Sequence, residues 1–156
     1  MKKILVAVDF SDLTGKLIAE GVKVAQAFNA KLILLHTEPP TDGVICYDPN
    51  YSGLSALGFY PEYDIEQDFF VKKLENDQDA LRSLEEEVRK EGIEVATEII
   101  NGDVTETILQ AINNENIDLL VLGSHKHGFI YKLFFSDISI NIFEKVKIPV
   151  LVVPES

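Results

Sequence analysis

Short apolar runs set at intervals along the chain constrain its fold most. Ile4-Leu5-Val6-Ala7-Val8, Leu32-Ile33-Leu34-Leu35, Leu119-Leu120-Val121-Leu122 and Val150-Leu151-Val152-Val153 are continuous rather than alternating. A strand covered on both faces has this character, because neither side of its pleat meets water. A further run differs: Ile93, Val95, Thr97 and Ile99 alternate with more polar neighbours. That pattern fits a strand with one less-covered side, at a sheet edge.

Helical periods fill the intervals. From Leu13 to Phe28, the residues Leu17, Ile18, Ala25 and Phe28 recur at three- and four-residue spacings, and Asn29 closes the segment. Asp9 and Ser11 supply turn and helix-start chemistry ahead of it, with Asp9 a candidate cap. Ile65 to Glu91 reads as a long charged helix with Leu74, Leu81, Leu84 and Val88 on one face and Gly92 as its stop. Asp103, with Glu106 three residues on, opens a helix through Asn114 that carries Ile108, Leu109 and Ile112. A last helix is expected near Asp137 to Lys145, with Asp137 placed as its N-cap.

Strands alternating with helices imply an open five-stranded parallel sheet of the α/β class, with right-handed crossovers and helices on both faces. At 156 residues the chain is read as a single domain, 1–156. In such sheets ligands bind at the carboxyl ends of the strands, where the strand order reverses. Asp9, His36, Thr37 and the segment starting at Gly123 occupy those ends.

Between Glu38 and Asp64 the periodicity gives way to prolines, glycines and Tyr47, Tyr51, Tyr60 and Tyr63. The segment at about 38–64 reads as a long loop too aromatic for simple disorder. It suits packing over a sheet edge, or a lid or partner surface.

The formal charge of −12, from 26 acidic against 14 basic residues, argues against nucleic acid and anionic membrane surfaces as partners, since both share its sign. Cys46 is the single cysteine and cannot form an intrachain disulfide. Asp9 interrupts the opening apolar run well short of a signal-peptide core, and no run reaches membrane-spanning length. These features together lead to the expectation of a cytoplasmic protein.

Four stretches, in matching order and spacing, resemble the universal stress protein family. They are Lys3-Ile4-Leu5-Val6-Ala7-Val8-Asp9-Phe10-Ser11, Leu34-Leu35-His36, Asp118-Leu119-Leu120-Val121-Leu122-Gly123-Ser124-His125, and Ile148-Pro149-Val150-Leu151-Val152-Val153-Pro154. The resemblance runs from Lys3 to Pro154. It implies a UspA-like domain of adenine nucleotide alpha hydrolase-like fold, with sheet order 3-2-1-4-5. It also implies a homodimer through the last strand, at Val150, Leu151, Val152 and Val153. One branch of the family has an ATP site across the first and fourth strands; the other binds no ATP. The nucleotide-binding positions so implied are Asp9, Thr37, Leu122, Gly123, His125, Lys126 and Ser136. Asp9 matches the contact to ribose and adenine, and Thr37 and Leu122 match positions flanking adenine.

Members that bind ATP show Gly, two residues, Gly, nine residues, then Gly-Ser or Gly-Thr. Here Gly123 matches, but Lys126 and Ser136 replace the second and third glycines, and Asp137 replaces the hydroxyl residue. Consecutive backbone N–H groups hold phosphate, and glycine lets the backbone approach it closely. Lys126 and Ser136 each add a Cβ there. Asp137 adds a carboxylate, and like charges a few ångströms apart repel by roughly 1–4 kcal/mol. Two features leave a route to phosphate open: the ammonium of Lys126 as a point charge, and Gly128 as a shifted second glycine.

Phe129, Ile130, Tyr131, Leu133, Phe134 and Phe135 make the same turn apolar. Such a turn suits burial against the last helix or the tyrosine-rich loop, or contact with a partner protein. His125 and His127, considered with Cys46 or Asp9, match no metal-ligand spacing, and Ser124 beside His125 makes no catalytic triad.

The expectation is a non-enzymatic, dimeric stress-response protein acting through protein contacts, with weak or no nucleotide binding and no metal. The alternative is a member that binds ATP or AMP and switches partner affinity with nucleotide state. A slow nucleotide hydrolase, using Asp9 or His125 to position water, is a third reading.

Overall fold

A computed structural model describes residues 1–38, 64–124 and 142–155, with side chains for all of these except 64–71 and 142–143. The elements are β1 (Lys3–Val8), α1 (Thr14–Phe28), β2 (Lys31–Glu38), α2 (Asp64–Lys90), β3 (Val95–Asn101), α3 (Val104–Glu115), β4 (Leu119–Gly123), α4 (Ile142–Lys145) and β5 (Val150–Val153). The strands form one sheet in the order β3-β2-β1-β4-β5, and every pairing is parallel. Both fold class and strand order are those expected. No described helix is long and apolar enough to cross a membrane.

Alternate side chains of the central strands feed two separate cores. Ile4, Val6, Val8, Leu32 and Leu34 pack on one face with Leu17 and Ile18 of α1 and Leu81 and Val88 of α2. Leu5, Ala7, Ile33, Leu35, Leu120 and Leu122 pack on the other with Ile108 and Ile112 of α3. Continuous apolar runs follow directly from helices on both faces. β3 lies at the sheet edge as expected. It starts two residues later than Ile93, and only Val95 of its residues is fully buried.

Helix ends follow their chemistry with one exception. Asn29 and Asn116 stop α1 and α3 in the left-handed conformation, and Gly92 follows α2 with φ of 76°. Asp103 caps α3 by accepting the Glu106 N–H at 3.0 Å. The exception is α1: its N-cap is Leu13, without a side-chain cap. Asp9 instead accepts the Ser11 N–H at 3.1 Å, and Phe10 between them takes a positive φ of 55°. Two residues is the reach of an Asx turn, so Asp9 shapes the strand-to-helix turn rather than the helix start.

Asp118 ties the start of β1 to β4 by accepting the N–H groups of Lys2 and Lys3 at 2.6 and 3.0 Å. Those two donors hold its carboxyl below the usual aspartate range.

Leu74 departs from expectation. It is 38% exposed, whereas Leu81 and Val88 are buried. Lys73 reaches Glu38, the last residue of β2, so at Leu74 the helix has arrived where the sheet ends. The described part of the last helix is the short α4. The expected Asp137 cap and the loop beyond Glu38 fall outside the described residues.

Candidate functional site

β1 and β2 run in register to a common level, with Val8 opposite His36. The strand order reverses at β1, which pairs with β2 on one side and β4 on the other. Just beyond Val8 and His36 is a crevice of about 210 Å³. Ala7, Leu35, Val104 and Ile108 form its apolar floor, and Asp9, Thr37, Glu38 and Lys73 its polar rim. The backbone places these groups by the period of two: Ala7 and Leu35 face α3, and Asp9 and Thr37 follow on the same side.

Thr37 is oriented by α3. Thr107 Oγ1 donates to the Val104 carbonyl at 3.1 Å, so in the 3.0 Å contact between the two hydroxyls Thr37 is the donor. Its lone pairs remain to accept from a ligand. Asp9 adds a carboxylate, so the side of the crevice nearest α3 is rich in acceptors.

The opposite side is ionic. His36 is buried under Phe10, with ring centroids 4.5 Å apart. Its Nδ1 lies 2.8 Å from the Val8 carbonyl oxygen, its Nε2 3.1 Å from Glu38 Oε1 and 3.7 Å from Asp77 Oδ2. Lys73 donates to both Glu38 oxygens at 2.7 Å and to Asp77 at 3.0 Å. Burial raises the Glu38 pKa, but hydrogen bonds from Asp77 and Lys73, the Lys73 charge and His36 outweigh it and bring the carboxyl down to about 2. Burial, and the hydrogen bond shared with Glu38, push Asp77 the other way, upward. On acidification Asp77 therefore takes up a proton before Glu38 does. Burial lowers the Lys73 ammonium pKa, but its bonds to the two carboxylates more than compensate and raise it.

Of the positions anticipated for nucleotide, Asp9 and Thr37 come together at this crevice. Leu122 is fully buried in the α3-side core and does not line it. Gly123 ends β4, and its lack of a side chain has a packing reason. A Cβ there would lie 2.6 Å from Leu13 Cδ2 and 3.4 Å from Leu17 Cδ1. His125, Lys126 and Ser136 lie outside the described residues. The dimer-strand residues Val150 to Val153 form β5, whose Val152 is 39% exposed on the edge strand.

Glu38, Lys73, Asp77, Val104 and Ile108 were not anticipated at the site. His36 and Glu38 at i, i+2 share one face of a strand, and Lys73 and Asp77 at i, i+4 share one face of a helix. Those spacings are visible in the sequence. Their meeting is not, because the aperiodic stretch between β2 and α2 gives no clue to where α2 lands.

Comparison with known proteins agrees with this fold. The universal stress protein A homolog of Haemophilus influenzae is 30% identical, over 98% of this chain and 96% of the relative. Universal stress protein UspA from Lactobacillus plantarum superposes with a TM-score of 0.68 at 22% identity, covering 97% of each chain. The universal stress protein from Archaeoglobus fulgidus in complex with dAMP superposes with a TM-score of 0.61 at 17% identity, again over 97% of each. The model of the universal stress protein family matches residues 1–154, and with the sheet order and this sequence similarity it follows that the chain belongs to that family.

Proposed function

We propose that this chain is a non-catalytic, homodimeric stress-response protein whose strand-end crevice takes the base and sugar of an adenine nucleotide weakly and gives its phosphates little. The crevice itself carries the reading: an apolar floor for a flat base beside Asp9 and Thr37, which accept hydrogen bonds from hydroxyl and amino groups. Its size points the same way. About 210 Å³ falls short of the roughly 300–1,000 Å³ that encloses a whole drug-sized ligand, so only part of a nucleotide is buried.

Charge opposes the polyphosphate. Among the described residues, Asp9 and Glu38 bring carboxylates to the crevice, and Lys73 on its rim is already engaged by Glu38 and Asp77. An anion a few ångströms from a carboxylate is repelled by roughly 1–4 kcal/mol. Lys126, Ser136 and Asp137 remove the glycine cradle that would offset this repulsion, and with it the means to fix phosphates for attack. The Archaeoglobus relative was solved with a deoxynucleoside monophosphate, a ligand of the size and charge favoured here.

The homodimer reading rests on β5. An apolar edge strand with an exposed valine is an association hazard unless a partner covers it.

Calorimetry on a loop variant tests the nucleotide reading. The parent should give no saturable heat with ATP at tens of micromolar. Replacing Lys126→Gly, Ser136→Gly and Asp137→Ser together should make ATP binding appear. Saturable ATP binding by the unaltered protein would contradict the proposal, as would a variant that stays silent toward ATP while remaining folded.

A further inference from the structure

The ionic cluster beside the crevice has the chemistry of a metal centre. His36 and Glu38 come from one face of β2 and Asp77 from the facing turn of α2, and their ligand atoms all lie within 4.8 Å of one another. We propose that His36 Nε2, Glu38 and Asp77 form a binding site for a zinc-type divalent cation, for which the Lys73 ammonium substitutes in the metal-free protein.

The hydrogen-bond pattern of His36 motivates this assignment. Its Nδ1–H donates to the Val8 carbonyl at 2.8 Å, the arrangement by which metal-ligating histidines are held and their tautomer fixed. A neutral ring so held turns the Nε2 lone pair toward Glu38 Oε1 at 3.1 Å and Asp77 Oδ2 at 3.7 Å. A lone pair facing carboxylate oxygens calls for a proton or a metal ion between them.

Distances fit the metal. Bonds of about 2.0–2.2 Å in a tetrahedral site put neighbouring ligand atoms about 3.3–3.6 Å apart, between the 3.1 and 3.7 Å that separate His36 Nε2 from the two carboxylates, and the third separation, Glu38 to Asp77, is within 4.8 Å. Two of the ligands are two residues apart on a strand and the third is on a packed helix, so the backbone already holds the site. Burial favours it as well: the three side chains are only 11%, 13% and 17% exposed.

Lys73 shows that the cluster attracts a cation. Its Nζ sits 2.7 Å from both Glu38 oxygens and 3.0 Å from Asp77 Oδ2, on the acceptors a metal would use. Its side chain is 45% exposed and free to swing into solvent when a metal arrives. One imidazole and two carboxylates suit zinc among divalent ions, since calcium and magnesium take oxygen ligands in larger numbers. With three protein ligands, a fourth position is left for water or a ligand group.

Equilibrium dialysis of the chelator-treated, full-length protein against zinc chloride, with elemental analysis, tests the site without nucleotide. Its outcome is therefore separate from that of the nucleotide reading. One zinc per chain is expected. Asp77→Asn should weaken binding by at least about tenfold, since loss of a direct ligand costs no less than the roughly 10–100-fold typical of outer-shell changes. Lys73→Met should bind zinc more tightly than the parent, because the competing ammonium is gone. Replacing Cys46→Ser, His125→Asn and His127→Asn together should leave the stoichiometry at one. The proposal is overturned by absence of saturable binding up to millimolar zinc, by binding indifferent to Asp77→Asn, or by weaker binding in Lys73→Met. Asp77 is half-buried on α2, and circular dichroism of its variant secures the comparison where changes at buried His36 risk the fold.

Discussion

Gly123 shows how one residue can carry two explanations. By resemblance it is the first glycine of a phosphate-binding turn, and in the fold it is where β4 passes under Leu13. The packing reason holds without any ligand. Gly123→Ala should destabilise the protein by about 1–3 kcal/mol, the range for overfilling a packed core. Pairing it with Leu13→Ala should cost less than the sum of the two single changes, because the added methyl then enters the space left by leucine. Denaturant melts of the four proteins measure this, and strict additivity would show that Leu13 is not the obstacle. Asp9 and Thr37 were legible as site residues because strand ends are where such sheets bind ligands. The detailed role of Asp9 was not. The sequence allowed a helix cap, and the positive φ of Phe10 shortens its reach to Ser11.

Among the elements, the apolar runs of β1, β2 and β4 were readable because burial on both faces leaves no competing pattern, whereas β5 has an equally continuous run with only Val153 fully buried. α2 was readable in extent and less so in placement. Its seven-residue repeat of Leu74, Leu81 and Val88 predicts one buried stripe, but the sheet beneath ends near Lys73 and leaves Leu74 exposed. A helical period reports which side faces inward, not how far the partner layer extends. That overhang is also what brings Lys73 and Asp77 to His36 and Glu38. β5 invites a test at this scale. Val152→Lys places a charge on the exposed edge strand and should convert a dimer to a monomer in light scattering, with the fold retained. A parent protein that is already monomeric, or a variant that still dimerises, would remove β5 as the dimer contact.

For the whole molecule, the parallel sheet places the amino ends of the helices and the carboxyl ends of the strands on one side, where ligand chemistry concentrates. What sits there is an acceptor-rich crevice joined to an ionic cluster, in a chain of net charge −12. The fold class could be read from the order and spacing of strands and helices, since these patterns are local and their alternation leaves few topologies, and the family from the resemblance of four stretches of sequence. The candidate site was half legible: the sequence marks what the turn after β4 lacks, but the ionic cluster arises only when α2 folds over β2. The central reading is that base and sugar, not phosphates, supply what affinity there is. Calorimetric titration of the unaltered protein with adenosine, AMP and ATP in one buffer tests it most directly. The predicted result is weak binding of adenosine and AMP, with ATP no tighter than either. Affinity that rises with each added phosphate, making ATP the tightest ligand, would contradict it.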